Sequence, residues 1–261
     1  MNLAVHAQSD GDDIVFTDIN GNKLNHEIEI YNSATGQLIA WVNVTSLSSS
    51  TDTRLYLYYG NSLCGSQQNQ QKTWNAEYLM VHHMNETGDI YDSTSHGYTG
   101  TNYGTTTESN GKIDGCRLFD SSSDRYDFGT ATPLNPGLSS WTISLWTKIS
   151  YVNNTDVLRK LGSNAGFYIR MHQGYGGYNY FQVSDGTNYT YHYWDTNWSD
   201  GNWHYINAVI NRNTNTLDVY LDGNLHNGGG TGNIAGFGSI TNTSSLRLYG
   251  GTNGRHDEFT I

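Results

Sequence analysis

The chain has 261 residues and a formal net charge of −11, from 13 Lys and Arg against 24 Asp and Glu, with no basic run. That balance lacks the phosphate-neutralising term on which nucleic-acid binding depends, so no nucleic-acid partner is expected. No stretch approaches the roughly 18 apolar residues of a membrane helix, and residues 1–10 have neither a basic start nor an apolar core, so neither membrane insertion nor a signal peptide is expected in it.

The chain is polar, yet aromatic residues make up 13% of it, more than a disordered polar chain carries. Low charge with abundant Tyr, Thr, Asn and Gly describes short strands joined by tight turns. Turn dipeptides at Asn20-Gly21, Asp185-Gly186, Asp200-Gly201, Asp222-Gly223 and Asn253-Gly254 punctuate alternating runs. In chain order these runs are residues 13–18, 26–31, 38–44 and 53–59, then 141–149, 202–211 and 216–221. No window longer than about two turns keeps helical periodicity, so the expected fold class is all-β, closed as a β-sandwich. Residues 65–72 are polar and lack β-branched side chains, which reads as a linker. It separates a small β unit at 1–73 from a larger sandwich at 74–261.

The most distinctive chemistry lies at residues 175–180 and 189–194. Alternation puts Tyr189, Tyr191 and Tyr193 on one face of a strand, with Thr190, His192 and Trp194 on the other. On the preceding run Phe181 and Val183 face the core, leaving Tyr178, Tyr180 and Gln182 on the opposite side. If the two runs pair, a tyrosine-rich solvent face results. Flat rings stack on the C–H faces of sugars, while amides and carboxylates bind hydroxyls. Tyr178, Tyr180, Tyr189, Tyr191 and Tyr193, with Asp195 and Asn197 from the following loop, are therefore candidate carbohydrate-binding residues. The same tyrosine ladder also stabilises an exposed sheet that binds nothing.

Glycoside hydrolysis needs two carboxylates at a set separation. Glu27-Ile28-Glu29 has the two-residue alternation on a strand but lies in the small unit, and the acidic residues of the larger unit are scattered at turns. Neither a nucleophile elbow nor a phosphate loop is present, so no enzyme is expected. His82 and His83 fall on opposite faces of a strand and do not form a zinc pair. Cys64 and Cys116 permit one disulfide, tying the linker to the larger unit, or else Cys116 is a buried small hydrophobe and Cys64 stands alone. Asn-x-Ser/Thr occurs at Asn43, Asn85, Asn153, Asn188, Asn197 and Asn242, in keeping with an extracellular setting.

Several stretches in order carry a family resemblance: residues 81–84 leading to 88–100, Gly111-Lys112-Ile113-Asp114-Gly115-Cys116 with Phe119-Asp120, residues 141–146, Gly201-Asn202-Trp203-His204, Tyr220-Leu221-Asp222-Gly223, and Arg255-His256-Asp257-Glu258-Phe259. Together they span nearly all of residues 74–261, and in this order the larger unit resembles the laminin-G/concanavalin A-like jelly-roll modules. Residues 9–18, 40–44 and 57–61 resemble the later part of an uncharacterised β-rich domain common in archaeal and bacterial surface proteins. Further strands come first in that domain, so the chain is expected to be a fragment or to receive a strand from elsewhere.

In the resembled modules a calcium ion sits where the loop after the first strand meets the final strand. The matching positions are Asp92 and Asp257, with Asp89 and the carbonyls of His96 or Tyr98 as additional ligands, giving a structural Ca2+. The resemblance thus implies a concanavalin A-like jelly-roll sandwich with a smaller N-terminal β unit, acting as a calcium-stabilised, non-catalytic carbohydrate-binding or adhesion module. The expected partner is a glycan or another cell-surface molecule, and the expected location secreted or cell-surface. The rival expectation is self-assembly, as a subunit of a surface layer or filament built through the incomplete N-terminal unit; glycoside hydrolysis is a lesser third.

Overall fold

The computed structural model describes residues 2–150, 155–171, 179–194, 198–226 and 228–261. Strands dominate it, and helix is confined to single turns at Leu3–His6, Gln70–Thr73 and Thr132–Leu134. The chain forms two compact units, residues 1–78 with 93–96 and residues 79–92 with 97–261.

In the first unit, β1 (Val15–Thr17) and β2 (Lys23–Leu24) form a hairpin, β3 (His26–Asn32) and β4 (Gln37–Val42) form a second, and β5 (Tyr56–Tyr58) pairs with β1. The first turn is organised by Asp18, whose carboxylate accepts the N–H groups of Asn20 and Asn22 at 2.8 Å each. Buried Asp13 accepts the N–H groups of Gln8 at 2.8 Å and Asn61 at 3.0 Å, so one carboxylate joins the two ends of this sheet. The unit continues to Tyr78, past the boundary expected near residue 73. Trp74 explains the extension: its Nε1 donates to Glu27 Oε2 at 2.7 Å, and its ring stands 5.3 Å from Trp41 and 5.1 Å from Tyr78. Ser93, returning from the later sequence, donates to Glu27 Oε1 at 2.8 Å.

The second unit contains β6 (Val81–His82), β7 (Thr101–Tyr103), β8 (Thr106–Glu108), β9 (Cys116–Phe119), β10 (Arg125–Asp127), β11 (Trp141–Lys148), β12 (Thr155–Leu161), β13 (Ala165–Met171), β14 (Asn179–Asp185), β15 (Tyr189–Trp194), β16 (Trp203–Asn211), β17 (Thr216–Leu221), β18 (Asn224–Leu225), β19 (Arg247–Tyr249) and β20 (Gly254–Thr260). One sheet runs β15-β14-β13-β12-β19-β10-β7 and the other β18-β17-β16-β11-β20-β9-β8, with β6 also on β20. Neighbours far apart in sequence, such as β12 with β19, give the crossed connectivity of a jelly roll.

Period-two alternation decides which side chains meet between the sheets. Phe167, Ile169 and Met171 of β13, Phe181 and Val183 of β14, Ile206, Ala208 and Ile210 of β16, and Leu217, Val219 and Leu221 of β17 share one buried core. Burying each larger side chain contributes about 1.5–3 kcal/mol. At the β17–β18 turn Asp222 and Gly223 take φ of 49° and 80°, the left-handed pair that matches the twist of a two-residue hairpin. In β20, Trp146 faces Asp257 while Ser144 faces Thr260, so β20 carries one extra residue, and Glu258 accommodates the bulge at φ 50°.

Candidate functional site

The tyrosine-rich strands do pair. Tyr180 stands opposite Tyr193, Gln182 opposite Tyr191 and Ser184 opposite Tyr189 across β14 and β15. The inward side of this hairpin is closed by Phe181, Val183, Thr190, His192 and Trp194, all buried. On the outward side the rings of Tyr180, Tyr191 and Tyr193 form a cluster, with centroids 5.8 Å (Tyr180–Tyr191), 6.0 Å (Tyr191–Tyr193) and 6.4 Å (Tyr180–Tyr193) apart. All three are half-buried, and Tyr189 at the end of the strand is 69% exposed. Tyr178, Asp195 and Asn197 lie outside the described residues.

A third row extends this face. Tyr168 of β13 pairs with Gln182 and donates its hydroxyl to Gln182 Oε1 at 2.8 Å. Burial raises the Tyr168 phenol above its ordinary value, which keeps it a neutral donor. Arg170, opposite Tyr180, holds Asp156 through Nε at 2.6 Å and lies over the Tyr168 ring at 4.8 Å. Beyond β15 a glycine-rich segment closes the edge: the N–H of Tyr193 donates to Gly229 O at 3.0 Å, and the N–H of Gly232 to Tyr191 O at 3.2 Å. A Cβ at Gly229 would stand 2.3 Å from Cζ of Tyr193, so only glycine lets that ring lie as it does. Alternation in residues 165–171 carried the signal for Tyr168 and Arg170. The run Gly228-Gly229-Gly230 carried one for close backbone approach, but its place beside β15 was not legible.

The carboxylates expected to ligate calcium each accept backbone N–H groups. Asp92 accepts N–H groups through both oxygens, from Val81 at 3.0 Å and Tyr98 at 2.9 Å. Asp257 accepts the N–H groups of Lys112 at 2.6 Å and Ile113 at 2.9 Å through Oδ2. Asp92 thus sits beside Val81, whose strand partner is Thr260, while Asp257 lies three residues earlier on β20. Asp89 is exposed and accepts the N–H of Asn102 at 2.8 Å. Tyr98 packs against the core, and His96 belongs to the first unit. Among the described residues no group of three ligand-type side chains includes Asp89, Asp92 or Asp257. A calcium ion takes six to eight oxygens; here N–H donors point at both oxygens of Asp92 and at Oδ2 of Asp257, while Oδ1 of Asp257 is buried without a hydrogen-bond partner among the described residues. Burial pushes the Asp257 carboxyl up to about 7.

The expected disulfide is absent, since Cys64 and Cys116 are both free thiols. Cys116 is fully buried on β9, where desolvation pushes its thiol up to about 12, and Cys64 Sγ donates to Asn61 O at 3.3 Å. The Glu27-Ile28-Glu29 pair serves indole rings: Glu27 holds Trp74, and Glu29 Oε2 accepts Trp41 Nε1 at 2.6 Å. His82 and His83 diverge as alternation requires, His82 Nδ1 meeting Tyr91 O at 3.0 Å and His83 Nδ1 meeting Glu258 at 3.0 Å.

Solved structures share the fold at low identity. The binding domain of Paraclostridial Mosquitocidal Protein 1 superposes with a TM-score of 0.58 at 16% identity, over 70% of this chain and 48% of that one. The binding domain of Botulinum neurotoxin DC, solved with rat synaptotagmin II, gives 0.54 at 13% identity, over 72% and 48%. Domain 4 of a GH43 extracellular arabinanase from Geobacillus stearothermophilus, solved with arabinotriose, gives 0.51 at 16% identity, over 70% and 90%. The match thus spans about half the length of the two toxin chains. No curated protein sequence matches the chain. One family profile does, over residues 10–144, slightly more than half of the length and continuing from the first unit into the second; the chain therefore belongs to the DUF2341 family, a domain of unknown function.

Proposed function

We propose that the larger unit is a non-catalytic carbohydrate-binding module of a secreted or cell-surface protein, with sugar rings laid against Tyr180, Tyr191 and Tyr193. The observation that carries this reading is the cluster itself. Three tyrosine rings within 5.8–6.4 Å of one another stand on the outward side of an edge hairpin whose inward side is already filled, so the core does not need them. Rigid amphipathic rings lose little side-chain entropy on binding, and their hydroxyls, with Gln182, supply hydrogen bonds for sugar hydroxyls. The arabinotriose bound to the arabinanase domain of similar fold supports a saccharide as the ligand. The two glutamates spaced for hydrolysis hold indole N–H groups, which supports a binding role rather than a catalytic one. Calcium plays no part in this reading.

Affinity electrophoresis and titration calorimetry against arabinan, xylan, galactan and acidic polysaccharides test it. The wild type should be retarded by at least one polymer, and Tyr191→Ala and Tyr193→Ala should each weaken that binding by about tenfold, the size of an aromatic contact. No reducing sugar should be released. Absence of binding to every polymer, or binding untouched by both substitutions, refutes the reading.

A further inference from the structure

The outward face of the same sheet carries an unusual charge pattern. The protein is acidic and has eight arginines. Four of them, Arg125, Arg159, Arg170 and Arg247, lie at register positions of this one face, against two carboxylates among the described strand residues there, Asp127 and Asp156. Arg159 on β12 and Arg247 on β19 stand directly opposite each other. Like charges directly opposed across an antiparallel pair destabilise it, so a folded sheet that keeps such a pair has a use for it or a counter-charge for each. Among the described residues each of the two has one carboxylate partner and uses one nitrogen on it: Arg159 Nη1 meets Asp156 Oδ2 at 2.8 Å, an aspartate shared with Arg170, and Arg247 Nε meets Asp127 Oδ2 at 2.9 Å while also bonding Tyr249. A guanidinium carries five N–H donors in a fork that matches carboxylate or sulfate oxygens, so most of that capacity remains.

Between the two arginines lies a cavity of about 280 Å³ lined by Arg159, Leu161, Ser244, Ser245, Arg247 and Tyr249. No carboxylate lines it, and its neutral polar groups are hydroxyls. The arginine side chains are 39% and 42% exposed, so a ligand reaches them from solvent. Two guanidiniums at its lining favour an anion; Ser245 bonds Asp127 and Tyr249 bonds Arg247, so the donors left for a ligand are chiefly the remaining guanidinium N–H groups. The net charge of −11 does not forbid this, because repulsion from distant groups is screened beyond about 8–10 Å at physiological salt.

The register connects this pocket to the tyrosines. Arg159 pairs with Tyr168, Tyr168 with Gln182 and Gln182 with Tyr191. At about 4.8 Å per strand, Arg159 and Tyr191 are roughly 14 Å apart on one continuous face. We propose that the pocket between Arg159 and Arg247 receives the carboxylate or sulfate group of an acidic polysaccharide whose sugar rings continue along the sheet to the tyrosine cluster. The polymer part rests on the carbohydrate-binding reading above; the charge part rests on the arginine pocket alone.

The test titrates wild type, Arg159→Gln/Arg247→Gln and Tyr191→Ala with polygalacturonate, heparin, neutral arabinan and inorganic sulfate, checking each protein by circular dichroism and Tm. The wild type should bind polygalacturonate or heparin, more weakly as salt rises. The double variant should lose about tenfold to a hundredfold of that affinity, the size of a charge-assisted bond, while any arabinan binding is unchanged. Should the double variant fold poorly, Arg247→Lys retains the charge but removes the fork, and it should still weaken the acidic polymer. Equal binding of the acidic polymer by wild type and variant overturns the proposal. Binding of arabinan but of neither acidic polymer overturns it while leaving the carbohydrate-binding reading standing. Displacement of the acidic polymer by equimolar inorganic sulfate also overturns it, leaving a simple anion site. No polysaccharide binding of any kind overturns both.

Discussion

Replacing Asp257 with Asn should make the protein more stable at alkaline pH and leave it almost unchanged at acid pH. Asp257 is fully buried; Oδ2 accepts two N–H groups, and among the described residues Oδ1 has no hydrogen-bond partner. Burial is the largest influence on the carboxyl and outweighs the N–H bonds, moving it from 3.8 to about 7. Between those values the folded protein holds a proton that the unfolded chain has released. Stability from this group is therefore complete below about pH 4 and lost as pH rises through 7. At 1.36 kcal/mol per pH unit the full window amounts to about 4 kcal/mol, an upper bound because the loop can relax and admit water. Asn carries no charge and keeps an oxygen for the Lys112 and Ile113 N–H groups, so its stability lacks this slope. Urea denaturation followed by tryptophan fluorescence at intervals from pH 4 to pH 8.5 measures both proteins. The difference between them should grow by several kcal/mol towards high pH, in favour of Asn. Parallel profiles for Asp and Asn would refute the reasoning, and an Asn variant less stable at every pH would show that the carboxylate has a partner.

Four other outcomes are expected. His82 and His256 are buried, and desolvation lowers both to about 4, so the unfolded chain takes up protons first; stability should fall between pH 6.5 and 4 by about 3 kcal/mol for each, and His256→Phe should flatten that limb. Because N–H groups point at Asp92 and Asp257, EDTA should leave the Tm unchanged, whereas an ion bound at a hundredfold over its Kd would add about 2.7 kcal/mol and its removal would cost several degrees. Ellman's reagent should label one thiol of the native protein, at Cys64, and the second only after unfolding exposes Cys116; a mass two hydrogens below that of the reduced chain would restore the disulfide. Gly229→Ala should displace the Tyr193 ring, whose Cζ and hydroxyl stand 2.3 and 2.4 Å from the new carbon, and should weaken polysaccharide binding several-fold with little change in Tm.

Local geometry was legible in the order of the residues. Alternation assigned Tyr189, Tyr191 and Tyr193 to one side of β15 and Thr190, His192 and Trp194 to the other, and the turn chemistry of Asp222-Gly223 marked the end of β17, because both are set by neighbours within a few residues. The order of the residues also announced that strands dominate, since no apolar pattern of period 3.6 persisted and helix among the described residues is confined to single turns. Tertiary structure alone decided which strands lie side by side. Arg159 faces Arg247, the Gly228–Gly229–Gly230 run closes the edge at Tyr193, and Ser93 joins Glu27 in the first unit, each pairing residues far apart in sequence. Asp257 shows the same limit in one residue. The strand pattern placed it near the chain's last pairing, but an extra residue at Glu258 and the loop carrying Lys112 and Ile113 committed its carboxylate to two amides instead of to Asp92. Long-range register follows from how two inner faces fill a shared core, and period-two alternation, identical for every strand, holds no information about which partner satisfies it.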